Sequence, residues 1–370
     1  MIFDTSVETA TTEAVAPPGT RQIAEKVLAG ERIDSDEALR LYRALSLPEL
    51  GALADAVRQR KRPGNIVTYI IDRNINYTNI CNVYCTFCAF MREEKDADAY
   101  VLTPEQVGEK IKELVAIGGV QILMQGGHHP KLGIDYYLDL LQYIKTNFPQ
   151  VNIHGFSPPE FCHFTEVFGM PVAELIGRFK DAGLGSIPGG GGEILVERVR
   201  KRIAPLKCTG RQWLDVMETA HRLGLHSSAT MMFGHVETVE DRIEHLQMLR
   251  ELQDRTHGFT AFICWTFQNQ NTRLRVPSAG AHEYLRTQAL ARIFLDNFDN
   301  VQSSWVTQGP QIGQIALQCG ANDFGSVMME ENVVSSAGTT FRIDEDTMKR
   351  LILELGYEPH RRNNWYQLLN

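Results

Sequence analysis

The segment Asn79-Ile80-Cys81-Asn82-Val83-Tyr84-Cys85-Thr86-Phe87-Cys88-Ala89-Phe90 carries three cysteines at C-x3-C-x2-C spacing. Three thiolates this close together can bind one face of a four-iron cluster and leave the fourth iron open to a small molecule. A structural zinc site is the alternative, but it needs four nitrogen or sulfur ligands. The other cysteines stand singly and far apart: Cys162, Cys208, Cys264 and Cys319. The spacing therefore favours an iron–sulfur cluster with ligands at Cys81, Cys85 and Cys88.

The same segment resembles the signature of the radical S-adenosylmethionine (SAM) superfamily, including the aromatic residue Phe87 before the last cysteine. The resemblance implies a 4Fe-4S cluster whose open iron binds the amino and carboxylate groups of SAM. It also implies that an electron from the reduced cluster cleaves SAM and yields a 5′-deoxyadenosyl radical, which takes hydrogen from a substrate. The cofactors would carry this chemistry, and the protein would supply orientation and exclude water.

The composition of the 370-residue chain restricts its partners. Its formal net charge of -8 argues against nucleic acid or an anionic membrane as the main partner, because both select basic surfaces. No apolar run reaches the roughly 18 residues of a membrane span, and residues 1–8 lack the features of a secretory signal. The odd number of cysteines, without framework spacing, indicates reduced thiols. We therefore expect a cytoplasmic protein.

The first part of the chain predicts a lead followed by helices. Residues 1–20 lack apolar periodicity, which indicates a disordered lead. Helices are predicted over 23–29 and 35–60, within an N-terminal helical extension over 21–62. The apolar, β-branched run Ile66–Ile71 predicts a first buried strand, which the cysteine segment follows directly.

Strand-like and helix-like segments alternate beyond this point. The further predicted strands are 120–124, 151–156, 184–187, 227–233, 259–265 and 301–306, with 319–324 as the candidate eighth. Helices are predicted between several of them, for example over 104–118 and 210–223. Repeated βα units imply an α/β fold, a (β/α)8 TIM-like barrel over 63–325, followed by a C-terminal extension over 326–370. A doubly wound open sheet is the alternative, and no dinucleotide fingerprint supports it.

Polar loops follow the first five predicted strands, and the active site of such a barrel is built from these loops. They are the cysteine segment, 125–130, 157–160, 189–193 and 234–237. By the resemblance to radical SAM enzymes, Gly126 and Gly127 hold the methionine amino group of SAM. Glu193 would bind the ribose hydroxyls of SAM, as the acid at the same strand end does in biotin-synthase-like relatives. A plain turn at the two glycines and a helix cap at Glu193 are the structural alternatives.

Phe87, Ser157 and Arg198 are the remaining candidates for SAM binding. Arg198 and Arg202 lie four residues apart on a predicted helix, and therefore on one face. Either guanidinium can bind a carboxylate, and both SAM and a carboxylated substrate would offer one.

Longer stretches resemble the cyclic dehypoxanthinyl futalosine synthases, a radical SAM family of the futalosine route to menaquinone. The matching segments are 186–195, 231–238, 260–267, 321–325 and 330–332. The likeness covers about residues 21–365, with Gly192 where alanine would be expected. It implies dehypoxanthinyl futalosine as the substrate. It also implies that the radical takes hydrogen from C4′ of the ribose, and that the resulting carbon radical adds to the benzoate ring.

The ring closure implied by this family ends with the loss of one electron and one proton. We expect a base on the rim of the barrel, with His128, His235 and Glu160 as candidates. The reducing electron would come from a partner such as flavodoxin or ferredoxin. Aminofutalosine synthase and the deazaflavin (FO) synthase subunits share the cysteine segment and the barrel, so they stay open as alternatives. A non-catalytic iron–sulfur electron carrier is the alternative from another class, although such a protein usually supplies all four cluster ligands.

Overall fold

The computed structural model describes residues 19–369, in which three helices precede the first strand. They are α1 (Thr20–Ala29), α2 (Ser35–Ala44) and α3 (Leu47–Lys61). The prediction of one helix over 35–60 is wrong, because the backbone is extended at Leu45 and Ser46. Ser46 begins the next helix: its N–H donates to the Glu49 carboxylate at 2.7 Å, and its hydroxyl accepts from the Glu49 N–H. The predicted disordered lead lies, except for residues 19 and 20, outside the described residues.

Ten strands form one parallel sheet. They are β1 (Ile66–Ile70), β2 (Asp72–Ile75), β3 (Gln121–Met124), β4 (Asn152–Gly155), β5 (Ser186–Ile187), β6 (His226–Phe233), β7 (Phe259–Thr266), β8 (Val301–Gln302), β9 (Asp323–Ser326) and β10 (Glu358–Arg361). Neighbouring strands follow the order β10-β1-β9-β8-β7-β6-β5-β4-β3-β2. The barrel closes because β1, which pairs with β9, continues into β2, which pairs with β3, with only Ile71 between them. Taking β1 and β2 as one strand and β10 as an addition, the predicted (β/α)8 barrel is confirmed.

Helices alternate with the strands around the barrel. They are α4 (Pro104–Ala116), α5 (Ile134–Asn147), α6 (Pro158–Phe168), α7 (Val172–Ala182), α8 (Glu197–Ile203), α9 (Gly210–Arg222), α10 (Val239–Thr256), α11 (Ala281–Phe294), α12 (Trp305–Gln308), α13 (Pro310–Ala316), α14 (Val333–Ser336) and α15 (Glu345–Leu353). The helices predicted over 104–118 and 210–223 correspond to α4 and α9. Among residues 19–369, no helix is both long and apolar enough to cross a membrane.

Three strand predictions need correction. The first strand continues beyond Ile71 into β2, so the cysteine segment follows Ile75 rather than Ile71. The prediction over 301–306 is too long, because β8 ends after two residues and Trp305 begins α12. The eighth strand is β9, whereas Leu317–Cys319 forms a 3-10 turn.

The segment 358–362 closes the N-terminal end of the barrel. β10 pairs in parallel with β1, from Ile66 opposite Glu358 to Tyr69 opposite Arg361. The next residue, Arg362, is buried, and its guanidinium donates two hydrogen bonds to Asp323 at the start of β9, with Nη2 2.8 Å from Oδ1. Part of the predicted C-terminal extension is therefore built into the barrel itself.

Candidate active site

A cavity of about 420 Å³ extends from the loops at the carboxyl ends of the strands into the lumen of the barrel. Its upper wall contains Cys81, Cys85 and Cys88, and its lower wall reaches Asp72 and Arg362. The loops that the sequence predicts to form a site therefore share one cavity, with one exception. No residue of the 234–237 loop contributes to its wall.

The cysteine segment is a loop that two distant segments hold in place. The Thr86 N–H donates to the Ile203 carbonyl oxygen at 2.8 Å, and the Thr86 carbonyl oxygen accepts from the N–H groups of Arg273 and Leu274 at 2.9 Å each. Tyr84, between the first two cysteines, has a positive φ of 54°, a conformation that residues other than glycine rarely adopt. These contacts fix the conformation that presents the three thiols to the cavity.

The three thiols fit a four-iron cluster better than a single ion. Burial raises the pKa of Cys85 to about 12, and the charge of Lys207 opposes this rise. A ligating thiolate must lose its proton, and a bound metal supplies the positive charge that favours this. Within residues 19–369, no three His, Cys, Asp or Glu side chains are arranged to hold one metal ion. Cluster thiolates bind separate irons and need no such arrangement, so the zinc alternative finds no ligand set in the described chain.

Gly126 and Gly127 let the loop after β3 pass close to the cysteine loop. A Cβ atom on Gly126 would lie 2.4 Å from Cζ of Tyr77, and one on Gly127 would lie 2.2 Å from the carbonyl oxygen of Ile80. Both N–H groups donate to other protein groups. Neither carbonyl oxygen accepts a hydrogen bond from any residue between 19 and 369. These two oxygens are therefore available to an ammonium group of a ligand.

The protein itself already uses both carboxylate oxygens of Glu160. Oε1 accepts from the Tyr77 hydroxyl at 2.6 Å and the Gly126 N–H at 3.1 Å, and Oε2 accepts from the N–H and hydroxyl of Ser157 at 2.7 and 2.6 Å. Burial raises the pKa of Glu160, and the bonds from Ser157 and Tyr77 oppose this rise. Glu160 and Ser157 line the cavity, but they tie three loops together. This arrangement disfavours Glu160 as the base.

Glu193 forms a buried ion pair with Lys207, a residue that the sequence analysis missed. Oε1 of Glu193 lies 2.9 Å from Nζ of Lys207, and Oε2 lies 3.7 Å from Nη1 of Arg200. Burial disfavours the charge of Lys207, but Glu193 and Cys85 together raise its pKa above the ordinary value. Nζ also lies 5.3 Å from the centroid of the Phe87 ring. Lys207 therefore links the acid to the cysteine loop.

The backbone around Glu193 turns its side chain into the cavity wall. Its φ of 22° is positive, and α8 begins only at Glu197, so the helix-cap alternative is wrong. Arg200 donates to the carbonyl oxygen of Gly191 at 3.0 Å and so fixes the glycine run. No sequence signal distinguishes Lys207, because a single lysine in a loop has no periodic partner and only its burial marks it.

Two predicted site residues lie outside the cavity wall. Arg198 is exposed on α8 and pairs with Asp241, an arrangement that disfavours the prediction that it binds SAM. His235 is enclosed in the loop after β6, with Nε2 3.0 Å from the Met232 carbonyl oxygen and Nδ1 3.0 Å from Oε2 of Glu237. Because both ring nitrogens have partners away from the cavity, His235 is not positioned to act as the base.

His128 lies in the cavity wall, and its ring nitrogens form no hydrogen bond within residues 19–369. Burial lowers its pKa well below the ordinary value, and His163 and Lys207 lower it further. The His163 ring centroid is 5.0 Å away. His128 is therefore neutral near physiological pH, and its unbonded ring nitrogens are able to accept a proton, although the burial that keeps the ring neutral also makes it a weaker base.

The chain is similar in sequence to known proteins and to two family models. The chain is 45% identical over 348 residues to the cyclic dehypoxanthine futalosine synthase of Halalkalibacterium halodurans, and the match covers 94% of each chain. Residues 75–249 match the model of the radical SAM superfamily, and residues 256–370 match the model of the CofH/MqnC C-terminal region. The chain belongs to the radical SAM superfamily. Membership makes it an enzyme and implies an iron–sulfur cluster and SAM as its cofactors.

Further relatives and a solved structure are also similar to this chain. The cyclic dehypoxanthine futalosine synthase of Streptomyces coelicolor is 47% identical over 351 residues, covering 94% of this chain and 88% of that protein. The aminodeoxyfutalosine synthase of Thermus thermophilus is 38% identical over 361 residues, covering 95% and 96%. The crystal structure of methylornithine synthase has a TM-score of 0.72 at 18% identity, covering 92% of this chain and 97% of that one. This last likeness supports the fold alone.

Proposed function

We propose that this enzyme converts dehypoxanthinyl futalosine to cyclic dehypoxanthinyl futalosine, a step of menaquinone biosynthesis. The observation that carries the proposal is the identity of 45% and 47% to two cyclic dehypoxanthine futalosine synthases, against 38% to an aminodeoxyfutalosine synthase. The matches cover 94% to 95% of this chain, so the difference does not come from coverage.

The described residues fit the cofactors of the superfamily. Cys81, Cys85 and Cys88 would hold the 4Fe-4S cluster, with Phe87 beside them in the same loop. The free carbonyl oxygens of the glycine pair would bind the amino group of SAM, and Glu193 would bind its ribose hydroxyls. When bound, these cofactors supply a 5′-deoxyadenosyl radical.

The side chains of the cavity enclose the substrate and accept its proton. Phe90, Met91, Val333 and Val334 give the wall an apolar portion, which limits the access of water to a reactive centre. Ring closure on the benzoate leaves one proton to be removed. We propose His128 as the base, because it lines the cavity and is the one candidate whose side chain forms no hydrogen bond within residues 19–369.

The charges around the cysteine loop support a reducing partner such as flavodoxin or ferredoxin. The segments bonded to Thr86 carry the exposed cations Lys201, Arg202 and Arg275, and none of these forms an ion pair or side-chain hydrogen bond within residues 19–369. The other cations in that range without such a partner are Arg40, Lys145 and Arg342. Unpaired cations beside the loop suit an acidic carrier that approaches from solvent. We propose a cytoplasmic location, where thiols stay reduced.

Anaerobic incubation tests the proposed reaction. Reconstituted enzyme receives SAM, dithionite and dehypoxanthinyl futalosine deuterated at C4′, and the products are read by mass spectrometry. We expect deuterium in 5′-deoxyadenosine and a cyclic product with one hydrogen and the deuterium removed. Cys85→Ala is the control and should lose both iron and product.

Two other outcomes would contradict the proposal. An adenosyl–substrate adduct without labelled 5′-deoxyadenosine would indicate the chemistry of a sister enzyme that adds the radical to an alkene. Full iron content with no SAM cleavage would favour an electron carrier.

A further inference from the structure

We infer that Asn74, on β2, binds a ribose hydroxyl of the substrate inside the lumen of the barrel. Asn74 is 7% exposed and lines the cavity. That a ligand binds at Asn74 is inferred from its side-chain amide, which forms no hydrogen bond with the described residues. The identity of the ligand rests on the proposed function.

The Asn74 amide has no hydrogen-bond partner within residues 19–369. Its Oδ1 atom is enclosed and unbonded. Its Nδ2 atom donates to no acceptor in that range. Among the described residues with an enclosed, unbonded side-chain atom, Asn74 alone lines the main cavity. A buried amide without a partner is unfavourable, so a contact outside the protein would explain why this position holds one.

Two polar neighbours in the lumen have the partners that Asn74 lacks. The carboxylate of Asp72, two residues earlier on β2, accepts hydrogen bonds from Ser326 and Gln121. The ring nitrogens of His154 on β4 lie 2.7 and 3.3 Å from the hydroxyl oxygens of two serines. The fold therefore satisfies these groups and leaves the Asn74 amide for a ligand.

Asn74 lies deeper in the barrel than the residues that we propose to bind SAM. The register pairs Asn74 with Leu123 on β3, and Gly126 lies three residues farther along that chain. Three residues rise about 10 Å along a β-strand, which is about 8 Å along the axis of a barrel whose strands tilt by roughly 36°, so Asn74 lies below the glycine loop. A ligand that reaches this level is the substrate rather than the methionine end of SAM.

The hydrogen-bonding groups of the Asn74 amide indicate which part of the substrate it binds. A hydroxyl can donate to the amide oxygen and accept from the amide nitrogen. A carboxylate only accepts, and an aromatic ring does neither. The terminal torsion of Asn is broad, so a small rotation turns Oδ1 of Asn74 toward the cavity. The ribose, rather than the benzoate, therefore fits this position.

Asn74→Leu tests the inference, because leucine keeps the branching at Cγ and removes both polar atoms. Calorimetry on the anaerobic, reconstituted enzyme should show a roughly tenfold or greater loss of affinity for dehypoxanthinyl futalosine. The Tm without ligand should stay or rise, since a buried unbonded group is removed, whereas a structural asparagine would lower it. An analogue without the contacted ribose hydroxyl should bind the wild type weakly and bind the variant as well as the substrate does.

Asn147→Leu is the matched control, because Asn147 is exposed at the end of α5. It should leave substrate affinity unchanged. Equal substrate affinities of wild type and Asn74→Leu would overturn the inference and leave the proposed function intact. Lower SAM affinity with unchanged substrate affinity would also overturn it. A wild type that fails to bind dehypoxanthinyl futalosine would contradict the proposed function, and the ligand assigned to Asn74 with it.

Discussion

Nζ of Lys207 lies 2.9 Å from Oε1 of Glu193 within the cavity wall. The side chains are only 12% and 9% exposed, so the two charges compensate each other in a poorly hydrated site. A carboxylate balanced in this way can accept hydrogen bonds from sugar hydroxyls without bringing an uncompensated charge next to the cysteine loop.

Removing the acid of this pair should affect both stability and SAM binding. Glu193→Gln leaves the Lys207 ammonium buried without its main partner, so we expect the free energy of unfolding to fall by about 3 kcal/mol. Adding Lys207→Met should recover much of that loss without restoring SAM affinity. Denaturant unfolding and calorimetry with SAM measure the two effects. Unchanged stability in Glu193→Gln would show that the pair contributes little.

Adding one methyl group at Gly127 should disable the glycine loop. A Cβ atom there would lie 2.2 Å from the backbone oxygen of Ile80, which cannot move without displacing the cysteine loop. We expect Gly127→Ala to lose SAM binding and most of its SAM cleavage, measured as 5′-deoxyadenosine. Gly133→Ala is the control, because a Cβ at Gly133 meets no atom within 4 Å. Normal SAM binding by Gly127→Ala would argue against this role of the loop.

Stability should decrease in mild acid because of His154. Burial lowers its pKa from 6.5 to about 3. The unfolded chain therefore binds more protons between these values, so the contribution of His154 is complete above its unfolded pKa and is lost as the pH falls toward 3. The expected slope is up to about 1.4 kcal/mol per pH unit for this residue.

The free energy of unfolding, measured between about pH 7 and pH 5, checks this prediction. His154→Asn should decline less steeply than the wild type over that range. His282→Asn should keep the wild-type slope, because His282 is exposed on α11. Identical slopes for His154→Asn and wild type would contradict the assignment.

Reversing the charges beside the cysteine loop should weaken the binding of the reducing protein and leave the reaction rate with dithionite unchanged. The triple variant Lys201→Glu, Arg202→Glu, Arg275→Glu should raise the KM for reduced flavodoxin, most clearly at low salt. Its rate with dithionite should equal that of the wild type. Arg40→Glu with Lys145→Glu provides a control with distant unpaired cations. If the triple variant and the control respond alike to flavodoxin, the carrier docks elsewhere.

The fold was largely predictable from the sequence because most of its signals are local. The apolar end of β6, the largely apolar β7 and the capped, amphipathic α4 are all recognisable in the sequence. β2 was missed because Asp72 and Asn74 give it a polar pattern, and those side chains line a polar lumen. β8 has two residues, too few for any periodicity.

The site was only partly predictable, because the partners of a side chain and its burial are properties of the folded chain. The cysteines, the glycine pair and Glu193 follow from short motifs, and the structure brings them to one cavity. The position of Arg198 outside the cavity wall could not be predicted, because the direction of a helix face depends on how α8 packs. No motif or residue spacing in the sequence identifies Lys207 or Asn74 as a site residue.

The contact between Arg362 and Asp323 also has a consequence for biosynthesis. Asp323 is fully buried, and the guanidinium that balances its charge belongs to a residue that the ribosome adds after β10. Four of the five residues of β1 likewise pair with β10, which is synthesised almost at the end of the described chain. The barrel floor therefore joins residues 66–69 to residues 358–361, a long-range contact of the kind that slows folding. We expect nascent chains that stop before Arg362 to retain an open barrel and to depend on chaperones until synthesis passes that point.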